Sequence, residues 1–73
     1  MKKVNGFFVL STTDIKKISA RCRAIAKKAA YTGYVEAWFN AESGRVDYVE
    51  LIGLDYIEAS ENMELIYSAR TNK

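Results

Sequence analysis

The chain has no histidine, no proline, one cysteine and four glycines. Each scarcity closes off chemistry. Without histidine there is no Ser-His-Asp arrangement, no imidazole general base and no His-based zinc site. One cysteine cannot close an internal disulfide, so no disulfide framework holds the fold. The glycines stand apart, with no G-x-G or GK[ST] run to cradle a phosphate. EF-hand spacing is also missing. No apolar run approaches the roughly 20 residues of a membrane span. The start imitates a signal peptide, with Lys2 and Lys3 ahead of Val4 to Leu10, but Ser11-Thr12-Thr13-Asp14 interrupts it and no small-residue cleavage site follows. The expectation is instead a buried first strand over 3–10. A free cysteine and the lack of a glycosylation sequon fit a cytoplasmic protein. No cofactor, metal or membrane partner is expected.

What is present is apolar and aromatic. Of 73 residues, 49% are hydrophobic and 12% aromatic, too rich for a disordered chain and short enough to be one domain over 1–73. Ser11 to Asp14 fits a capping box, in which a serine N-cap accepts from the N3 amide and an acidic N3 side chain reaches back. A helix is predicted from there to about Tyr31, with Gly33 as its C-terminal stop. Ile15, Ile18, Cys22, Ile25, Ala26 and Ala29 fall on one side at helical spacing. Cys22 on that side reads as a buried, inert thiol.

Two strand-like runs follow, Tyr34 to about Ala41 and Arg45 to about Leu54, joined by a three-residue loop Glu42-Ser43-Gly44. A second hairpin is predicted from Tyr56–Ala59 and Glu64–Ala69. Asn5-Gly6 is a turn signal, but four residues precede it, and a bulge or frayed start is expected there. The fold class is α+β, with a single helix on one face of a mostly antiparallel sheet of four to five strands in the order β-α-β-β-β(-β).

Alternation sorts the strands into two faces. One holds Val35, Ala37, Phe39, Val49, Leu51, Ile57, Ala59, Leu65, Tyr67 and Ala69. The other holds Tyr34, Glu36, Trp38, Tyr48, Glu50, Ile52, Tyr56, Glu58 and Ile66. The second carries three glutamates, and burying an unpaired carboxylate is costly. The helix is therefore expected on the first face, where alanines permit close approach. With one helix in the chain, the second face is left uncovered.

Charge is divided along the chain. Residues 1–33 hold eight basic and one acidic side chains, a net +7. Residues 34–64 hold one basic and eight acidic, a net −7, beneath an overall +2. At about 100° per residue, Lys16, Arg23 and Lys27 form one helix flank and Lys17, Arg21 and Lys28 the other, with Ala20, Ala24 and Tyr31 between them.

The expected function is a small non-enzymatic protein-binding module, a regulator or inhibitor that occludes a partner's surface. Its candidate contact residues are Tyr34, Glu36, Trp38, Tyr48, Glu50, Tyr56 and Glu58, since aromatic side chains give large contact area at low entropic cost. The basic helix offers a second surface, Lys16, Lys17, Arg21, Arg23, Lys27 and Lys28, suited to an acidic partner. It also supports the alternative of a nucleic-acid-binding domain using residues 12–31. A third alternative is a homo-oligomeric accessory protein. Glu36 and Glu50, facing each other across the predicted hairpin, resemble the paired carboxylates of hydrolases. One small sheet offers no enclosing pocket for them, and an enzyme is not expected.

Overall fold

In the computed structural model, which describes residues 1–52 and 63–71, the capping box forms as the sequence predicts. Ser11 Oγ accepts from the Asp14 amide at 3.1 Å, and Asp14 carboxylate accepts from the Ser11 amide at 3.0 Å. The helix α1 runs over Thr12–Lys28. It stops short of the expected Tyr31 because Ala29 turns extended (φ −67°, ψ 137°) and its amide bonds back to Ala26 carbonyl at 3.2 Å. Lys27 and Lys28 in the last turn favour the negative end of the helix dipole. Gly33 is not the C-cap. It opens a strand, its amide donating to Thr71 Oγ1 and its carbonyl accepting from the Thr71 amide, both at 3.0 Å.

These capping bonds hold Asp14 below the ordinary carboxylate value of 3.8, backbone and side-chain bonds from Ser11 being the leading causes. A depressed folded-state pKa contributes stability at pH above 3.8 that is lost as pH falls through the lower, folded value. Ser11→Ala is expected to cost about 1 kcal/mol at neutral pH. The difference from wild type should shrink in acid below 3.8. Thermal melts at neutral and acid pH check both parts.

Among the described residues, three strands form the main sheet. The strand Gly33–Asn40 is central, between the strands Val46–Ile52 and Met63–Arg70, and both pairings are antiparallel. The N-terminal stretch does not join it. It folds as a hairpin of its own, β1 (Lys2–Val4) and β2 (Phe7–Val9), with Lys3 opposite Phe8. The three strands of the main sheet are accordingly β3, β4 and β5. Asn5 and Gly6 both take positive φ (51° and 85°), the pair of left-handed residues that a two-residue hairpin turn demands. The expected bulge is thus a true turn, and the expected buried strand over 3–10 is an exposed two-stranded ribbon. One backbone bond, Phe8 amide to Ala41 carbonyl at 2.8 Å, ties it to the main sheet. Gly44 seats the Phe8 ring: a Cβ there would lie 3.1 Å from it, and its φ of +76° already favours glycine.

The helix packs on β3 and β5, as an α+β fold requires. The core is a seam of small side chains. Cys22 and Ala26 of the helix meet Val35, Ala37 and Ala69 of the sheet, with Ile18 at one end. Small residues here let the helix axis come close, and the larger Leu10, Ile25, Val46, Tyr48, Ile66 and Tyr67 close the sides.

The face assignment holds for β3 and reverses for β4. Val35, Ala37 and Phe39 point to the helix side and are buried, while Tyr34, Glu36 and Trp38 point away. The register pairs Val35 with Glu50, Ala37 with Tyr48 and Phe39 with Val46. Tyr48, Glu50 and Ile52 therefore share the helix side, and Val49 and Leu51 the far side. The cause is loop length. Asn40 Oδ1 accepts from the amides of Glu42 (2.9 Å) and Ser43 (3.3 Å), its carbonyl accepts from Gly44 at 2.8 Å, and its amide donates to Arg45 carbonyl at 2.9 Å. Asn40 thereby closes a four-residue loop, 41–44, where three residues were predicted. One residue in a loop inverts every side chain beyond it.

A bulge does the same in β5. Ala37 lies opposite Tyr67 but Trp38 opposite Leu65, so Ile66 is the extra residue. Tyr67 and Ala69 keep the expected helix side, and Ile66 joins them against the core. Leu65 moves to the far face and is 44% exposed. The first strand of the predicted second hairpin, with Ile57 and Ala59, lies outside the described residues.

Candidate protein-binding surfaces

The helix cations occupy the two flanks that helical geometry assigns them, and the sheet fixes where each flank leans. Arg21 sits over the Tyr48 ring on β4 (5.6 Å to its centroid). Arg23 sits over the Tyr67 ring on β5 (5.5 Å) and donates to its hydroxyl at 3.3 Å. The two arginines thus straddle the buried Cys22, one over each edge strand. Stacking on an aromatic face restricts a long, otherwise mobile side chain. Lys16, Lys17, Lys27 and Lys28 are exposed, as are both arginines. None of the six forms an ion pair with a described residue; Arg45–Asp47, at 2.8 Å, is formed elsewhere and is exposed. Tyr31, expected in the solvent strip between the flanks, lies beyond the helix end and is half-buried. Its hydroxyl is buried without a hydrogen-bond partner among the described residues. Burial, reinforced by the charge of Glu50, pushes that phenol above its ordinary value.

The predicted aromatic and acidic sheet face is only partly assembled. Tyr34, Glu36 and Trp38 do lie together on the side away from the helix. Tyr34 is exposed, and Trp38 is half-buried with its indole N–H donating to Glu36 carboxylate at 3.3 Å. Tyr48 and Glu50 are on the opposite side. Burial raises the Tyr48 phenol, against the opposing pull of Arg21. Tyr56 and Glu58 lie outside the described residues. Glu36 and Glu50 end on opposite faces, so no carboxylate pair forms across this hairpin. Nor is the far face bare throughout, since Leu51 on it is 7% exposed.

A third surface escaped the sequence reading. Val4, Phe7 and Val9 share one face of the N-terminal hairpin, and all are 43–48% exposed. Ile15, expected on the buried side of the helix, is 40% exposed. Val9 and Ile15 line one cleft of about 300 Å³, with Phe8, Leu10, Phe39 and Ile66. The available signal was Asn5-Gly6. Taken as a hairpin turn, it would have detached residues 2–9 from the sheet and left their apolar face without a partner.

Cys22 is fully buried, as expected. Its thiol donates to Val35 carbonyl at 3.1 Å, and burial raises it above its ordinary value of 9.0. A thiol kept protonated and enclosed is a poor nucleophile. Among the described residues no helix is long and apolar enough to cross a membrane. No protein family, no curated protein and no solved structure matches the chain.

Proposed function

We propose that the protein is a small, non-enzymatic protein-binding module that captures an acidic partner segment bearing an apolar anchor. The observation carrying this reading is the exposure of Val4, Phe7, Val9 and Ile15, of which Val9 and Ile15 line one cleft and Ile15 is followed in the helix by the exposed Lys16 and Lys17. An apolar centre with a charged rim is how protein interfaces are built. A nucleic-acid backbone would use the cations alone and gain nothing from four exposed aliphatic and aromatic side chains. The contact surface is therefore moved from the sheet face to the hairpin and helix.

The test is a binding panel: acidic peptides with one aromatic or aliphatic anchor, neutral peptides with the same anchor, and duplex and single-stranded nucleic acid, each at low and physiological salt. Acidic anchored peptides should bind best. The double variant Val9→Ser, Ile15→Ser should weaken them at least about tenfold. Tighter binding of nucleic acid, indifferent to that variant, would replace this reading with the nucleic-acid one.

A further inference from the structure

β4 is an edge strand: among the described residues it pairs with β3 on one side only. The hydrogen bonds of β3 fix which of its groups face the free edge. Asn40 donates its amide to Arg45 carbonyl, while Gly33 carbonyl accepts from Thr71 on the opposite side of β3. Backbone groups alternate along an antiparallel strand. Asp47, Val49 and Leu51 therefore turn theirs toward β3, and Val46, Tyr48, Glu50 and Ile52 turn theirs outward. Sheet edges are commonly blunted by proline, lysine or a bulge. β4 has none of these: Val46–Ile52 pairs one residue for one with β3. β5, the other outer strand, carries the bulge at Ile66.

The side chains along this edge are also unmatched. Ile52, on the helix side, is 61% exposed. Glu50 on the same side is exposed and in no ion pair with a described residue. Neither is Arg21, which sits over the Tyr48 ring. The helix packs over β3 and β5 rather than over β4. Strands lie about 4.8 Å apart, so two sheets joined at β4 would hold their helices on the order of 19 Å apart. Helices in contact need only about 8–10 Å, so the two would not collide.

We propose that two copies of the chain pair antiparallel through β4, about a two-fold axis at Val49, with both helices on one face of the joined sheet. This centre sets Val46 opposite Ile52 of the second copy and Tyr48 opposite Glu50 of the second copy. Every outward amide and carbonyl of β4 is then met. Directly opposed side chains have Cβ atoms about 5 Å apart. Glu50 of the second copy thus reaches the Tyr48 ring and the Arg21 guanidinium above it, and the two-fold axis repeats that ion pair. Ile52 gains an apolar neighbour in Val46. On the far face Asp47 stands opposite Leu51, its charge already matched by Arg45 of its own copy. A centre at Glu50 would oppose the two Glu50 carboxylates, and one at Tyr48 would leave Ile52 beyond the end of the partner strand. The contact uses neither the N-terminal hairpin nor the cleft at Ile15, and so goes beyond the partner reading.

Sedimentation equilibrium of the full chain should show monomer and dimer exchanging with a dissociation constant on the order of 100 μM, since one strand-edge contact is small for a specific interface. Amide hydrogen exchange reads the register. As concentration rises, the amides of Val46, Tyr48, Glu50 and Ile52 should gain protection, while those of Asp47, Val49 and Leu51, already turned to β3, change little. Glu50→Lys sets a cation against Arg21 and should weaken the dimer at least about tenfold, with amide peak dispersion showing the fold intact. The charge swap Arg21→Glu, Glu50→Lys should restore it, which a merely structural loss would not allow. A chain that stays monomeric up to about ten times that constant would overturn the proposal. So would a charge swap that fails to restore the dimer, or protection that appears on β5 or the N-terminal hairpin instead. The double variant Val9→Ser, Ile15→Ser should dimerise as the wild type does, so failure of the partner reading and failure of this contact give different results.

Discussion

Phe39→Ala is expected to cost about 3–5 kcal/mol, the range for removing a buried aromatic ring. Phe39 is 3% exposed and lies at the end of β3, where the N-terminal hairpin, the helix start and Ile66 converge around the same cleft. A domain of this length has a total stability of roughly 4–11 kcal/mol, at 0.05–0.15 kcal/mol per residue. The variant should therefore be partly unfolded at 37 °C. Urea titration followed by Trp38 fluorescence measures the loss. Phe39→Leu, which keeps most of the volume, should lose clearly less. A loss for Phe39→Ala below about 1 kcal/mol would show that the ring is not part of the core.

Tyr48→Ala carries the second large effect, about 2 kcal/mol from the apolar area exposed. Tyr48 packs against the core cluster on the helix side and carries Arg21 on its ring. An Arg21→Ala, Tyr48→Ala cycle should return a coupling of about 0.5–1 kcal/mol. Tyr34→Ala, at an exposed position on the other face, should change stability little. The comparison tests the register directly. With the three-residue loop of the sequence reading, Tyr48 would stand in solvent and its loss would be nearly neutral. A neutral Tyr48→Ala together with a costly Val49→Ala would mean that the loop is three residues long.

These two positions divide what could be read from what could not. The Phe39 side of β3 was legible, because its alternation is strict and Glu36 forbids the opposite face. Tyr48 was not. Its facing depends on whether Asn40 or Ala41 closes the loop, and that is decided by the Asn40 side chain capturing the amides of Glu42 and Ser43. Three glutamates share one face only in the register of a three-residue loop, whereas the observed register puts Glu50 opposite Val35. Glu50 reaches solvent on the helix side, so the structure meets the same cost by exposure. The bulge at Ile66 had no local signal at all, since no glycine or proline marks it.

The candidate site was legible in the same uneven way. The six helix cations were found because helical periodicity alone puts them outside. The contacts of Arg21 with Tyr48 and of Arg23 with Tyr67 belong to the packing of the helix across the sheet.

By itself, the sequence determined the elements whose causes are local. Ser11 and Asp14 start the helix through bonds three residues apart, and a 3.6-residue period puts Cys22 and Ala26 inward and the lysines outward. The charge division between the helix and the rest is likewise a property of order along the chain. Only the tertiary structure decided which residues of β4 and β5 face the helix, and that the first nine residues stand apart as a ribbon with an apolar face exposed. The physical reason is that side-chain facing in a strand has a period of two, so a single residue in a loop or bulge reverses it. That residue is chosen by hydrogen bonds and packing between segments that the linear chain keeps apart.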